Sequence, residues 1–421
     1  MKLLLFLFFI PSLWAEKYDI DSYVKKVLSV SNEIKYYEEN LQLKKKASAS
    51  AFAALYIPSA YYKFSSDLYS SSKKNFSLQK DYSSSDLVFS YDIFSNLSSS
   101  FDFKKSKIEL DSANRDLWLK KQEVIYSAMK KYCDALKYAK LLEVNKASEK
   151  SYADEYEKAS QYYKEGLRSY SDLLKSKLNY KNAKLYSVYS ENAYKSSLME
   201  LNYGIYEDPL NKNELSDISQ EFLEKQLGYE EAVKYAVENR KELQNLKAEE
   251  KYLILELKKK TGDYLPLLNL SAQYSRGGIF NFSPAPSPKE SYLLNLSLKI
   301  PFGSELFSKS ENYNLAYTAL ERKKREIAEY ELKIKKEVLI LVLELDYALE
   351  KYEVSKTNSE ISKNNLEIIK QKYGEGKASV LELIEAQKDD LSAQSQLAES
   401  FYDLYLKRAE YKKALGIDLE R

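Results

Sequence analysis

Two stretches of this chain read almost as one. The first is Tyr163-Lys164-Glu165-Gly166-Leu167-Arg168-Ser169-Tyr170-Ser171-Asp172-Leu173-Leu174, and the second is Tyr373-Gly374-Glu375-Gly376-Lys377-Ala378-Ser379-Val380-Leu381-Glu382-Leu383-Ile384. Each lies between two long stretches with helical patterning. Each carries a glycine where a helix must stop, because glycine tolerates the left-handed backbone of a C-cap. A serine follows that can cap the returning helix. The two stretches are separated by about 210 residues, half the chain, and a fixed internal offset is the sign of a duplicated unit.

The echo extends outward from the turns. Leu55-Tyr56-Ile57-Pro58 corresponds to Asp263-Tyr264-Leu265-Pro266, and Ile93-Phe94 to Ile300-Pro301-Phe302. Tyr23 to Leu28 corresponds to Glu231 to Val237, and Leu201-Asn202-Tyr203-Gly204 to Lys413-Ala414-Leu415-Gly416. Four landmarks in one order describe a unit of helix, proline, two strands, long helix, glycine turn, long helix and glycine, used twice.

Composition excludes much of chemistry. The chain has 421 residues with 65 basic and 63 acidic side chains. A net charge of +2 offers no concentrated basic face for nucleic acid. Histidine is absent and Cys133 is the one cysteine. His-based triads, imidazole zinc sites and internal disulfides are therefore ruled out. Cys133 lies in a helical pattern and reads as a small buried hydrophobe. No glycine-rich phosphate loop is present, and no carboxylate pair stands out as an acid/base couple. The residues support neither an enzyme nor a bound cofactor. With 10 Gly and 8 Pro, long uninterrupted helices are expected, and the 39 tyrosines read as amphipathic packing residues.

Along the chain, residues 1–15 have the pattern of an export signal: Lys2, an apolar run from Leu3 to Ile10 and a small residue at Ala15. No later run is apolar enough for a transmembrane helix; Val338 to Leu345 comes nearest, with Glu344 inside it. Asp21 to Tyr56 is helical in pattern and ends before Pro58. Alternation then begins. Tyr62, Phe64 and Leu68 oppose Lys63, Ser65 and Asp67, and after a polar loop from Ser70 to Ser84, Leu87, Phe89, Tyr91 and Ile93 oppose Ser90 and Asp92. In the second half Leu268, Leu270, Ala272 and Tyr274 alternate with Asn269, Ser271, Gln273 and Ser275. After a loop from Gly277 to Glu290 come Tyr292, Leu294, Leu296, Leu298 and Ile300. Period-two alternation of this length predicts strands with one dry face and one wet face, long enough to cross a bilayer at a tilt.

Four strands cannot close into a barrel, and open edges do not survive in lipid. A membrane location therefore requires several copies to share one barrel. The long helices, about 99–163 and 305–373, would each span roughly 100 Å at ~1.5 Å per residue. Val338, Leu341, Leu345 and Leu349, with Leu339 and Val342 beside them, form one apolar stripe. Ile108, Val124, Ile125, Met129, Tyr132 and Leu136 form another, as coiled-coil packing requires.

The paired Tyr-x-x-Gly turns, the proline before the first strand of each half and the closing Ala414-Leu415-Gly416 carry a resemblance. The chain resembles the TolC-like outer-membrane factor (outer membrane efflux protein) family, the exit ducts of Gram-negative efflux pumps and type I secretion systems. The resemblance covers nearly all of the mature chain. It implies a mainly α fold with a membrane β-barrel: a homotrimer sharing a 12-stranded barrel in outer-membrane lipid, with long coiled-coil helices forming an α-helical periplasmic tunnel.

The expected organisation is a signal peptide at 1–15 and a first repeat at 16–206, with strands at about 59–69 and 86–96 and a hairpin tip near 166. An equatorial linker follows at 207–228. The second repeat occupies 229–421, with strands at about 267–276 and 291–302 and a tip near 376. The resemblance further implies a passive duct gated at its periplasmic tip. A periplasmic adaptor protein would dock there, and behind it an inner-membrane transporter. Asp172 and Tyr373 match family positions that hold the tip shut. A basic residue is expected at 378, where this chain has Ala378; Lys377 and Arg168 are the nearest cations. Glu382 and Glu385 match an acidic ring at the constriction, and being three apart they share a helix face. The adaptor-docking tip is expected at Gly166, Leu167, Arg168, Ser169, Gly376, Lys377, Ala378 and Ser379. The alternative is an exported structural or adhesive coiled-coil protein, which explains the helices but not the duplicated amphipathic strands.

Overall fold

The computed structural model describes residues 17–66, 82–95, 98–211, 213–218, 227–279 and 289–420. The signal at 1–15 lies outside the described residues, as does most of the Ser70–Ser84 loop. In chain order the elements are β1 (Lys17–Tyr18), α1 (Ile20–Val30), α2 (Asn32–Tyr56), β2 (Ser59–Ser66), β3 (Tyr82–Ser95), α3 (Ser98–Lys164) and α4 (Tyr170–Gly204). There follow β4 (Glu214–Leu215), α5 (Tyr229–Asn239), α6 (Lys241–Gly262), β5 (Leu267–Ile279), β6 (Lys289–Lys299), α7 (Ser304–Gly374) and α8 (Val380–Leu415).

The helical pattern read across Asp21 to Tyr56 is two helices. Ser31 interrupts it, with an extended ψ of 119°, and Arg240 interrupts the second repeat in the same place with ψ of 121°. Neither position holds a proline, so periodicity alone passed over both breaks. The strands also run further than alternation showed. Tyr82, Ser83 and Ser84, read as loop, pair with Ile279, Gly278 and Gly277. Serine and glycine carry no dry-face signal, but their backbones continue the ladder.

Two compact units result, and each draws on both repeats. The first comprises residues 1–35, 118–240 and 332–421. Its core gathers Tyr23, Ile125, Tyr132, Cys133, Leu136, Leu201 and Tyr402. Tyrosines fill it because their hydroxyls find partners when buried. Tyr132 Oη lies 2.8 Å from the carbonyls of both Tyr18 and Ser216, which ties β1 to the segment after its parallel partner β4. Tyr23 donates to the Leu201 carbonyl (3.1 Å) and Tyr402 to Asp217 (3.1 Å). Cys133 is buried, and desolvation pushes its thiol well above the usual range. Val338, Val342 and Leu345 are buried as expected of the stripe, whereas Leu339 is exposed.

The second unit comprises residues 36–117 and 241–331. It contains an antiparallel four-stranded sheet in the order β2-β3-β5-β6. The register aligns apolar rows across all four strands: Tyr62, Leu87, Tyr274 and Tyr292 in one, Ala60, Phe89, Ala272 and Leu294 in the next. A bulge between Asp92 and Phe94 skips Ile93 and brings Phe94 opposite Leu268, keeping the apolar row in step. These rows are not covered. Leu294 is 73% exposed and Leu296 62%. β2 and β6 are edges with unpaired backbone groups. At the foot of the sheet, ion pairs such as Lys105–Glu256 (2.5 Å) and Lys259–Asp102 (2.8 Å) join α3 to α6. No helix among the described residues is long and apolar enough to cross a membrane.

Candidate functional site

Both hairpin turns lie in the first unit and are built alike. Gly166 and Gly376 have φ of +74° and +72°, the left-handed conformation that ends a helix. The Leu167 and Lys377 amides donate to the Tyr162 and Lys372 carbonyls (2.8 and 2.7 Å), and the Gly166 and Gly376 amides to Tyr163 and Tyr373 (3.1 Å each). This doubled pattern satisfies the last free carbonyls of α3 and α7. The returning helices begin at a serine cap. Ser169 Oγ accepts the Asp172 amide and Ser379 Oγ accepts the Glu382 amide, each at 3.2 Å.

At the second turn the cap is reciprocal: Glu382 Oε2 accepts the Ser379 amide at 2.6 Å. These hydrogen bonds hold the Glu382 carboxyl below its ordinary range. The Ser-x-x-Glu signature of this capping box is legible in the sequence and gives Glu382 a local role in starting α8. Glu385 is exposed one turn further on.

The structure brings Arg168 and Tyr373 together. The guanidinium carbon lies 5.0 Å from the ring centroid, a cation–π distance. The phenol also packs on the small cluster of Leu366, Leu383 and Ala386. Burial raises the Tyr373 hydroxyl above its usual range, and Arg168 opposes that. Asp172 is close enough to Tyr373 to act on it electrostatically. Arg168 is thus the cation at the tip that meets Tyr373. Lys377 instead pairs with its neighbour Glu375 at 2.7 Å, and Ala378 is buried. Leu167 projects outward, 67% exposed. Three buried polar residues above the turn escaped the sequence reading: Glu155, Ser176 and Gln387. Nothing in periodicity separates a buried carboxylate from a solvated one.

Long helical hairpins and a four-stranded sheet with an uncovered apolar face define the fold class of this chain. Residues 232–417 match the outer membrane efflux protein family model. No curated protein sequence matches. Among solved structures, CusC aligns with a TM-score of 0.82 and 12% identity, covering 94% of this chain and 92% of that one. CmeC, the outer membrane channel of Campylobacter jejuni, aligns with a TM-score of 0.82 and 14% identity over 94% of this chain and 85% of its own. The open state of MtrE, the outer membrane channel of Neisseria gonorrhoeae, gives 0.81 and 13% over 95% and 89%. At these identities the likeness is one of fold.

Proposed function

We propose that the chain is one protomer of an outer-membrane exit duct serving a tripartite efflux pump or a type I secretion system. The sheet carries the proposal. Its apolar rows are exposed, which water disfavours and lipid accepts, and its β2 and β6 edges are open, which lipid does not tolerate unless further copies complete a barrel. Three copies would give 12 strands, with β6 of one protomer beside β2 of the next, and the helical hairpins would form the tunnel below. Substrates would pass from an inner-membrane transporter through a periplasmic adaptor into the tunnel.

The tip would be the gate. Arg168 against Tyr373 holds the two hairpins of a protomer together, with Asp172 nearby, and serves where the family pattern has a basic residue at 378. Glu382 and Glu385, repeated threefold, would set six carboxylates around the entrance, and such rings favour cations. Leu167, Ser169, Gly166, Gly376, Lys377, Ala378 and Ser379 would receive the adaptor.

The native mass of the full chain extracted from membranes in mild detergent tests this. An outer-membrane trimer is expected. A water-soluble monomer or dimer would return the sheet to an ordinary structural role and favour the exported coiled-coil alternative.

A further inference from the structure

Above the tip, α3, α4 and α8 enclose a carboxylate. Glu155 is 5% exposed, and Ser176 of α4 and Gln387 of α8 lie against it. Neither oxygen of Glu155 has a hydrogen-bond partner, nor do Ser176 Oγ and Gln387 Oε1. Gln387 is oriented by its other end, since Nε2 donates to Ser151 Oγ at 3.1 Å. Its carbonyl oxygen is left without a partner, and the Gln387 amide and Ser176 hydroxyl both act on the Glu155 carboxyl.

The titratable neighbours bring no counter-charge. On α3 the neighbour is Tyr152, whose hydroxyl is pushed up to about 12 by burial and by Glu155. On α7 it is Tyr373, which feels Glu155 together with Arg168 and Asp172 of the first turn, though neither of those charges acts on Glu155 itself. The charged residues flanking the cluster are exposed: Glu157 and Lys158 on α3, Lys175 and Lys177 on α4, Lys388 and Asp389 on α8. Asp390, a turn further along α8, takes a hydrogen bond from Gln394. An ionised Glu155 would be held by Ser176 and Gln387 alone, with no cation acting on it among the described residues, which is costly in a dry interior. A neutral Glu155 supplies the missing donor. Its O–H can reach Gln387 Oε1 while Ser176 donates to its other oxygen, and all four orphan atoms are then satisfied. Desolvation moves Glu155 in the same direction, above the ordinary glutamate range, and outweighs the hydrogen bonds from Gln387 and Ser176 that favour the charge.

We propose that Glu155 is a proton-dependent latch of the duct: packed and neutral it bonds α3 to α8, and on losing its proton to water it lets the hairpins part. The latch rests on the duct reading given above. It lies on the same helices that end at the Arg168–Tyr373 contact, about ten residues or ~15 Å from Gly166. The closed packing holds the proton more tightly than a solvated, opened cluster does. Below the ordinary glutamate range both forms keep it and pH has no effect. Above that range the open-to-closed ratio rises with pH, by up to about tenfold per pH unit, until the raised value is passed.

The test uses the full-length protein in planar lipid bilayers, with ion conductance recorded from about pH 5 to 8. Wild-type conductance should rise several-fold across the range. Glu155→Gln, which keeps the shape and a donor but cannot ionise, should stay low and flat. A flat wild type, or a variant that follows the wild-type curve, would overturn the latch. A second measurement stands apart from conduction. Difference infrared spectra of wild type against Glu155→Gln should show the carbonyl stretch of one neutral carboxylic acid, fading as pH rises. Absence of that band at every pH refutes the buried proton. A band that titrates in a protein that never conducts overturns the duct reading, and the gate with it.

Discussion

The two turns share one sequence pattern and differ in what they cover. In the second, Val380 and Leu383 are buried, and Leu383 makes a small apolar cluster with Leu366, Ala386 and the Tyr373 ring. The positions corresponding to Ala378 and Val380 in the first turn are Arg168 and Tyr170, and Tyr170 is exposed, as are Leu167 and Leu174. The second turn also has the reciprocal cap through Glu382, where the first has a single serine bond. The sequence offers two similar reversals. One has become a self-sufficient packing element, and the other presents apolar groups outward and lends its arginine to its twin. The arrangement suits a tip in which one hairpin holds shape while the other meets partners.

The largest effect that would break this comparison is at Leu167. Leu167→Asp places a charge in the proposed adaptor surface and should abolish efflux in a susceptibility assay, with trimer yield unchanged. Full efflux would remove docking from the first turn. Next comes the core of the second turn. Leu383→Ala should cost about 2–5 kcal/mol of local packing and speed protease cleavage around Gly374–Ser379. Leu174→Ala, at an exposed site, should leave cleavage of the first turn within error; equal sensitivity would erase the asymmetry.

The glycines should behave alike, because both need φ near +70° and neither has an atom within 4 Å of an added Cβ. Gly166→Ala and Gly376→Ala should each destabilise the turn by roughly 1–2 kcal/mol, read as faster amide exchange at residues 163–169 and 373–379. A large difference between them would mean that one turn is strained by its surroundings.

The smallest effects concern the acidic residues of the second turn. Glu382→Ala with Glu385→Ala should lower cation preference in bilayers a few-fold; unchanged reversal potentials would take the ring away and leave the fold intact. Glu382 also titrates through its cap. Its folded-state value is depressed by the Ser379 hydrogen bonds, so the stabilisation is present above the ordinary glutamate range and is lost as pH falls through the lower folded value. Acid should therefore fray the start of α8 before that of α4, seen as amide exchange at residues 379–383, and Glu382→Gln should remove the difference.

What the sequence determined by itself was local and periodic. Gly166 and Gly376, each followed three residues later by a serine, specify helical reversals because few residues accept a left-handed backbone and few side chains can cap an open helix end. Alternation at Leu87–Ile93 and Leu268–Tyr274 specifies strands with one dry face because the pleat has a period of two. Duplication then specifies that everything occurs twice. The breaks at Ser31 and Arg240 and the ladder through Ser83 and Ser84 left no such mark, since backbone hydrogen bonding needs no particular side chain there.

Only the tertiary structure decided which residues meet. It selected Arg168 over Lys377 as the cation on Tyr373, because the first turn approaches the second and Lys377 has Glu375 within reach. It likewise turned Glu155, one of 63 acidic side chains, into a buried group between three helices. Proximity between residues two hundred positions apart follows from how the helices pack, and no periodicity along the chain encodes it.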